Sequence, residues 1–373
     1  MSEYFGKEIF KLGYGLMRLP KLPDGKIDIP QTSVMVDKFI ETGGTYFDTA
    51  YVYDNGGSEI AAKEALVSRY PRDRFTLATK LNTAVSRDEQ SAKQQFYTSL
   101  ERTGAGYFDY YLLHALQRGN YKKYEEYHIW EFAKELKEKG LIRYYGFSFH
   151  ADPALLDELL NDHPDVDFIQ LQINYADWDN PGVASRECYE TARKHGKSII
   201  IMEPVKGGAL ADPPQGVKDI LKTADPDASF ASWAIRYAAS LDGIITVLSG
   251  MSNTAQMDDN LSYMRDFRPL SEEEQNVIKA VQAELVKDSS IKCTKCHYCT
   301  DGCPMGIAIP DIFAVYNSEK QKASWDNGKG AYAIATQGKG KASDCIECGQ
   351  CEDACPQHLD IIELLKECRK MEG

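Results

Sequence analysis

Short apolar runs alternate with longer amphipathic segments from about residue 10 to residue 250. The short runs are rich in β-branched and aromatic residues, as strands are, and the longer segments have helical spacing. The strand candidates are LGYGLMRL (12–19), YFDTA (46–50), FTLATKL (75–81), YFDYYLLHA (107–115), IRYYGFSFH (142–150), DFIQLQINY (167–175), SIIIMEPV (198–205) and GIITVLSG (243–250). The clearest helix candidates are 58–70, 89–104 and 124–140. Eight such units predict an α/β fold, a (β/α)8 TIM barrel, with a doubly wound open sheet as the alternative.

The pattern changes after the eighth predicted strand. Ser271 and Glu274 match a capping box, so a helix is expected to begin there. Near residue 289 the composition shifts to Cys, Gly and Lys. We therefore predict three regions: the barrel at 1–268, a connecting helix at 269–288 and a mostly helical, cysteine-rich domain at 289–373.

The cysteine-rich region repeats one spacing twice. Its two C-x2-C-x2-C-x3-C-P runs comprise Cys293, Cys296, Cys299 and Cys303, and then Cys345, Cys348, Cys351 and Cys355. Thiolates at this spacing wrap three corners of an iron–sulfur cubane, and the fourth cysteine of each run reaches the other cluster. This predicts two [4Fe–4S] clusters, one held by Cys293, Cys296, Cys299 and Cys355, the other by Cys345, Cys348, Cys351 and Cys303. Zinc is the alternative, but zinc does not explain a third cysteine at the same step.

The region resembles bacterial two-cluster ferredoxins. The long segment between its two runs departs from the compact β-rich kind and is similar to the helical ferredoxin modules of respiratory reductases. That resemblance implies electron transfer, possible exchange with a redox partner protein, or a stabilising or sensing role. Cys188 and Cys368 lie outside the pattern and are expected to be buried thiols.

Composition narrows the class of protein. Charged residues make up 27% and hydrophobic residues 43% of the chain, an ordinary balance for a globular protein. The net charge of −13 argues against nucleic acid or an anionic membrane as a partner. No secretion signal and no 18-residue apolar stretch is recognised. Because nine of the ten cysteines follow residue 290, we expect a cytoplasmic, reducing and oxygen-poor setting.

Ionisable residues mark the carboxyl ends of three consecutive predicted strands, where barrel enzymes carry their chemistry. Asp48 ends the second strand, with Tyr53 in the loop beyond it, Lys80 ends the third and His114 the fourth. Each residue alone has an ordinary structural explanation, but together they suit carbonyl reduction. An ammonium ~4 Å from a phenol, at an effective dielectric of about 20, is worth about 4 kcal/mol, or roughly three pKa units. Tyr53 is then the acid and Lys80 tunes it, while Asp48 orients Lys80 and His114 aims the carbonyl.

The stretches GTYFDTAYVYDNGGSE, FTLATK and YYLLH resemble the aldo/keto reductase superfamily over roughly residues 8 to 265. The resemblance implies nicotinamide contacts at Ser148, Gln170 and Met202, although Phe149 and His150 stand where the family usually has asparagine. The segment from Gly250 to Asn260 lacks the family's basic residues for a 2′-phosphate. Its arginine position corresponds to Gln256, so both NADP(H) and NAD(H) remain candidates. FMN has no supporting fingerprint.

The two regions handle electrons differently, since hydride is a two-electron carrier and a cluster takes one electron at a time. The first hypothesis is a nicotinamide-dependent oxidoreductase that interconverts a small carbonyl and an alcohol and carries clusters for electron transfer, stabilisation or sensing. The alternative is a redox-responsive binding or regulatory protein whose barrel is idle. Substrate walls are expected in the loops 20–30, 116–123, 174–186 and 205–229.

Overall fold

The computed structural model describes residues 2–4, 7–287, 290–322 and 328–372. Its strands are β1 (Ser2–Tyr4), β2 (Lys7–Ile9), β3 (Leu12–Gly15), β4 (Tyr46–Asp48), β5 (Thr76–Leu81), β6 (Phe108–Leu116), β7 (Ile142–Phe149), β8 (Phe168–Gln172), β9 (Ser198–Met202) and β10 (Ile244–Ser249). Strands β3 to β10 are parallel and close into a barrel, with β10 pairing β3. The predicted eight-stranded barrel is confirmed, and the open sheet is excluded.

The barrel has an apolar interior and an apolar outer layer. Inner side chains such as Tyr46, Leu112, Phe168 and Ile245 form one buried cluster. A larger cluster lies between the strands and the surrounding helices. Because both faces of each strand are covered, the strands read as continuous apolar runs rather than alternating ones.

A short hairpin precedes the barrel and was not predicted. Its strands β1 and β2 pair antiparallel, and Ile9 at its end packs into the inner cluster of the barrel. Three- and four-residue strands are too short to give a clear alternating pattern, which explains why the sequence did not indicate them.

The helices of the barrel are α1 (Ile29–Glu41), α2 (Gly57–Ala62), α3 (Glu89–Thr103), α4 (Tyr121–Glu126), α5 (Ile129–Glu138), α6 (Pro153–Asp162), α7 (Ser185–Lys194), α8 (Gln215–Ala224), α9 (Phe230–Ala239) and α10 (Thr254–Met264). The single helix predicted at 124–140 is wrong, because α4 and α5 are separate. His128 between them has a left-handed backbone, with φ 49°. The break lets Tyr124 in α4 donate to the His114 carbonyl at 2.5 Å while Trp130 in α5 packs in the core.

The chain continues into helix α11 (Glu272–Leu285), which begins with the predicted Ser271–Glu274 capping box. Ile278 and Val281 of α11 pack with Val217 and Leu221 of α8, so this helix lies against the side of the barrel. Five helices follow: α12 (Tyr298–Asp301), α13 (Ile309–Lys322), α14 (Gly328–Ala335), α15 (Gln350–Asp353) and α16 (Ile361–Cys368). They surround their own apolar core, which confirms a mostly helical C-terminal domain.

The C-terminal domain covers the carboxyl-end face of the barrel. Three barrel side chains reach it just beyond β3, β6 and β9. Arg18 donates to the Thr294 carbonyl at 2.9 Å, Gln117 to the Asp353 carbonyl at 2.6 Å, and Lys206 to the Gln357 amide oxygen at 2.9 Å. The domain therefore lies over the face where barrel enzymes place their chemistry. Within the described ranges, no helix has the length and apolarity needed to cross a bilayer.

Candidate active site

The predicted catalytic residues Asp48, Lys80 and Tyr53 converge at the mouth of the barrel. Strands β4 and β5 are neighbours, which brings Asp48 next to the buried Lys80. The Lys80 ammonium donates to the Asp48 carboxylate and to the Thr49 carbonyl at 2.8 Å, and it lies 3.4 Å from the Tyr53 hydroxyl. Tyr53 begins a tight turn in which Asp54 and Asn55 have left-handed backbones, with φ 52° and 53°. This turn directs the phenol back over the strand ends.

Burial outweighs the expected acidification of the phenol. The pKa of Tyr53 is raised well above its ordinary value, first by burial and then by the carboxylates of Asp48 and Glu203. The Lys80 charge is already paired with Asp48, and an ion pair acts on a neighbour as a weaker dipole. The net direction of the Tyr53 pKa is therefore upward, where Lys80 alone was expected to lower it. Tyr53 is a protonated phenol at neutral pH.

His114 faces the phenol from β6. The two rings are edge to face, with centroids 5.6 Å apart. Burial, and then the charge of Lys80, hold the pKa of His114 well below its usual range. The imidazole is therefore neutral, and a neutral imidazole carries one N–H that can donate to a carbonyl oxygen. Its Nδ1 atom is buried and has no hydrogen-bond partner among the described residues.

A cavity of about 1430 Å³, including its open mouth, runs from this cluster across the strand ends. Of the residues predicted to contact the cofactor, Gln170, Met202, Gly250, Gln256 and Asn260 line it. Gln170 donates to Asp48 at 3.3 Å, and Asn260 donates to the Ser249 hydroxyl at 2.7 Å. The cavity has the convergent polar groups expected of a cofactor site.

The structure does not bring Ser148 to the wall of this cavity. Its hydroxyl instead accepts the backbone N–H of Ala115 at 2.7 Å, and Ser148 is buried. His150, two residues further on, lines the cavity in its place. Burial lowers the pKa of His150 to about 4, so its ring is neutral and can offer an amide-like donor and acceptor pair.

The corner expected to receive a 2′-phosphate is occupied by side-chain hydrogen bonds. The Gln256 amide oxygen accepts the Ser252 N–H at 2.7 Å, and the Asn253 side chain caps α10 by accepting the Gln256 N–H at 2.9 Å. The nearby Asp258 pairs with Lys38 at 2.7 Å. A phosphate at this helix start would have to displace the Gln256 side chain.

Sequence reasoning missed the wall of the cavity opposite the barrel. That wall comes from the C-terminal domain and consists of Thr294, Cys296, Tyr298, Pro356 and Gln357. The loops 20–30, 116–123 and 174–186 were expected to line the site, yet none of their residues does, whereas the loop 205–229 contributes Val205, Gly207, Gly208 and Ala211. Tyr298 lies directly before the motif cysteine Cys299. An aromatic residue at such a position usually packs within its own domain, so the sequence did not indicate that Tyr298 would reach the active site.

Gly207 explains how the two regions come so close. Its backbone is left-handed, with φ 63°, and a Cβ atom there would lie 2.4 Å from the Thr294 carbonyl oxygen. The bare backbone therefore admits the Thr294 loop. Glu203 at the same rim is half-buried, with one buried carboxylate oxygen that has no partner in the described structure, and desolvation raises its pKa.

The eight motif cysteines surround two further cavities. One is lined by Cys293, Cys296, Cys299 and Cys355. The other is lined by Cys303, Cys345, Cys348 and Cys351. The remaining walls are largely apolar, with Phe313, Ile309 and Leu365 among them. In the described ranges no three His, Cys, Asp or Glu side chains converge on a single ion.

These two cavities fit iron–sulfur cubanes. A cubane spreads its thiolate ligands around a cage, and four cysteines surround each cavity. Burial raises the pKa of Cys296 and of Cys351 to about 11, so both thiols are protonated without iron and metal binding must release protons. Cys188 and Cys368 lie in apolar cores away from the cavities, and burial raises the pKa of each to about 12.

The comparison with known families finds the same two regions, the barrel and the C-terminal domain. Residues 11–283 match the aldo/keto reductase family, so the chain belongs to that family. Residues 292–359 match a 4Fe-4S dicluster domain. The expected family and the expected iron–sulfur domain are both confirmed, and the protein is an oxidoreductase by class.

The relatives are aldo/keto reductases of bacteria and eukaryotes. The uncharacterized oxidoreductase YqkF of Bacillus subtilis (strain 168) is 25% identical over 75% of this chain and 94% of its own length. An aldo-keto reductase of Mycolicibacterium vanbaalenii is 29% identical over 64% of this chain and 79% of its own.

Solved structures show the same barrel. Aldo-keto reductase AKR11C1 of Bacillus halodurans, in its holo form, superposes with a TM-score of 0.59 at 27% identity, over 73% of this chain and 91% of its own. A Klebsiella pneumoniae aldo/keto reductase, solved in complex with NADP and acetate, shares the fold at 20% identity with a TM-score of 0.60, over 74% of this chain and 92% of its own.

Proposed function

We propose that this protein interconverts a small carbonyl compound and its alcohol by hydride transfer with a nicotinamide cofactor. The observation that carries the proposal is the convergence of Asp48, Lys80, Tyr53 and His114 on one wall of a cavity whose other barrel residues suit a nicotinamide. A reduced nicotinamide supplies hydride to the carbonyl carbon when it is bound. All other steps belong to the side chains of this chain.

In reduction, His114 donates a hydrogen bond to the carbonyl oxygen and fixes its position. As the C–H bond forms, the π electrons of the carbonyl move to oxygen, and Tyr53 transfers its proton there to complete the alcohol. The phenolate left behind is held by the Lys80 ammonium, 3.4 Å from the Tyr53 oxygen, and Asp48 keeps that ammonium in place. In alcohol oxidation each transfer runs in reverse.

We propose that Gln170 and His150 hold the carboxamide of the nicotinamide and that Met202 packs on the face of its ring. A thioether is polarisable and packs well on aromatic rings. Gly250 and Asn260 would contact the adenosine half. Because Gln256 offers no basic side chain to a 2′-phosphate, we do not expect the site to favour NADP(H) over NAD(H). This expectation is tested below.

We also propose two [4Fe–4S] clusters, one in each cysteine-lined cavity and ligated by the four cysteines named for it. The first would be bound next to the hydride site, because Cys296 lines both its own cavity and the large one. This proximity supports a role in completing the site. A redox partner protein and a cytoplasmic location stay predictions.

The test is anaerobic and uses the protein with its iron and sulfide intact. We expect oxidation of NADPH or NADH only when a small aldehyde or ketone, such as glyceraldehyde, is added. Bleaching of the cluster absorbance by the reduced cofactor alone would show that electrons pass between cofactor and cluster. Cofactor binding without turnover of any carbonyl would contradict the proposal and favour a regulatory protein with an idle barrel.

Tyr53→Phe removes only the proton donor. We expect kcat for carbonyl reduction to fall by about 10²- to 10⁴-fold, the usual contribution of a general acid, with nicotinamide affinity unchanged. Tyr51→Phe is the matched control, because its ring packs against Arg102 outside the cavity. Full activity in the Tyr53→Phe variant would reject the assigned role.

A further inference from the structure

The iron–sulfur domain places one hydroxyl group among the catalytic residues of the barrel. The Tyr298 side chain lies beside that of Tyr53 at the wall of the large cavity. Its ring stands edge to face with His114 at a centroid distance of 6.4 Å. Tyr298 also lines the large cavity, beside Cys296. The two phenols and the imidazole therefore enclose the place where a carbonyl oxygen would be bound.

Tyr298 is held at its other end by the cysteine loop. Cys296 lies two residues before it, and Cys299 is the next residue along the chain. Helix α12 starts at Tyr298 after the left-handed His297, with φ 67°. The backbone on both sides of Tyr298 is thus fixed by residues that we assign to the first cluster.

Buried polar contacts hold the C-terminal domain in a fixed position on the barrel. Lys206 is buried, pairs with Asp177 and donates to Gln357 of the C-terminal domain. The bare backbone of Gly207 admits the Thr294 carbonyl, to which Arg18 also donates. A lid that opened on each turnover would break these buried polar contacts, which is costly. Tyr298 therefore stays at the site during reaction.

A hydroxyl beside Tyr53 matters for proton transfer. When Tyr53 gives up its proton, its oxygen becomes an acceptor only, and a neighbouring hydroxyl can donate to it. A hydrogen bond donated by Tyr298 opposes the rise that burial causes in the pKa of Tyr53. Hydrogen bonds to a charged acceptor are roughly twice as strong as neutral ones, so the bond strengthens as the phenolate forms.

We propose that Tyr298 is a positioning residue that the iron–sulfur domain contributes to the hydride site: its hydroxyl donates to the Tyr53 oxygen, directs the Tyr53 O–H toward the substrate and stabilises the phenolate. The inference rests on the proposed function for its kinetic consequences. Tyr53 alone loses a proton in the reaction, to the carbonyl oxygen, and Tyr298 keeps its own.

The first test is Tyr298→Phe in the cluster-loaded protein, with iron and sulfide contents matched to the wild type. We expect kcat to fall about tenfold, the worth of one hydrogen bond to a charged group, while KM for the nicotinamide is unchanged. The pH range in which the rate of alcohol oxidation rises should move up by about one unit, because the phenolate has lost a donor. That range depends on the pKa of Tyr53, so the loss of packing around the Tyr298 ring alone would not move it.

Tyr316→Phe is the matched control within the same domain. Its hydroxyl contacts Glu367 at 3.0 Å, and it does not line the large cavity. We expect wild-type kcat and an unshifted pH limb from this variant. A Tyr298→Phe protein that matches it in both respects would overturn the proposal, as would a rise in kcat, which would make Tyr298 an obstacle.

A second measurement does not depend on turnover. Acetate binding to the protein with NADP⁺ present, followed by calorimetry, reports on the Tyr53 O–H as a donor. We expect Tyr53→Phe to abolish binding and Tyr298→Phe to weaken it several-fold, because a phenol that accepts a hydrogen bond donates better. Unchanged affinity in Tyr298→Phe, or no binding by the wild type, would overturn the inference. Weakened acetate binding without carbonyl turnover in the wild type would sink the proposed function alone.

Discussion

At the scale of single residues, Tyr53 combines two features that act against each other. It lies at the ends of buried strands, where its phenol is removed from water, and burial raises its pKa well above the ordinary value. Lys80 is close but is already paired with Asp48. The phenol is therefore a donor that holds its proton until negative charge develops on the substrate.

The pH dependence follows from this raised pKa. Since Tyr53 stays protonated at neutral pH, carbonyl reduction should be nearly constant from about pH 6 to about pH 9. Alcohol oxidation needs the phenolate and should rise about tenfold per pH unit over the same range. Initial rates in both directions with the anaerobic protein check this. A reduction rate that falls near neutrality would mean that Lys80 acidifies the phenol after all.

Gln256 controls the other end of the cavity. Gln256→Arg would place a cation beside the Ser252 and Asn253 amides, where a 2′-phosphate could accept from it. We expect the ratio of NADPH to NADH affinity to rise about tenfold or more, measured by fluorescence titration. Gln256→Leu is the control, because it also frees the Ser252 N–H but adds no charge. An equal shift in both variants would assign the effect to the freed amide.

At the scale of elements, the strands and helices of the barrel were largely predictable from the sequence, whereas the position of the C-terminal domain was not. Continuous apolar runs such as SIIIM and IITVLS indicate buried parallel strands, and each lies where the structure has one. The Ser271–Glu274 capping box likewise formed as expected. These signals are local, since a few adjacent residues produce them.

The misses involve contacts between distant segments. Nothing near His128 indicates that α4 and α5 diverge, because the break serves the docking of Tyr124 under His114. Ser148 matches its family position, but its hydroxyl is used by the Ala115 N–H. Tyr298 reaches Tyr53 only because a second domain docks on the rim. Such long-range juxtapositions leave no periodicity in the sequence.

The turn after β9 tests that docking. Gly207→Ala would add a Cβ atom 2.4 Å from the Thr294 carbonyl oxygen as well as strain in a left-handed backbone. Gly208→Ala is the matched control, because its φ of 100° is also strained but nothing lies within 4 Å of the added atom. We expect Gly207→Ala to be the less stable of the two by about 1–3 kcal/mol, the usual cost of overpacking.

Thermal unfolding and limited proteolysis of the two holoproteins measure the difference. Gly207→Ala should lose iron earlier and be cleaved faster between the barrel and the C-terminal domain. Equal thermal stability and equal cleavage rates of the two variants would mean that the Thr294 loop moves to accommodate the added Cβ atom without loss of stability.

At the scale of the whole molecule, the iron–sulfur domain is a wall of the catalytic cavity rather than a separate module on a tether. Arg18, Gln117 and Lys206 bind it from three sides of the rim. Removing the clusters should therefore change the hydride site even if no electrons pass between them. This is a stronger coupling than the order of the domains along the sequence suggests.

The crosswise arrangement of the cysteines also predicts how iron is taken up. Each cavity takes three thiols from one run and the fourth from the other. Filling one cavity therefore ties the two cysteine runs together and brings the thiols of the other cavity into place, so the two should fill together. Native mass spectrometry during anaerobic reconstitution should show mostly empty and fully loaded protein. A long-lived species with one cluster would contradict this interdependence.

The same arrangement sets an order of events during biosynthesis. The barrel strands all precede Cys293, and domains generally fold from the N-terminal side as the chain emerges. The cavity beside Tyr53 is complete only after Gln357 has been made. A newly synthesised molecule should therefore pass through a stage in which the barrel is closed but the C-terminal domain does not yet cover its carboxyl-end face. At that stage a nicotinamide can enter the site freely, and Tyr53 does not yet have the Tyr298 hydroxyl beside it.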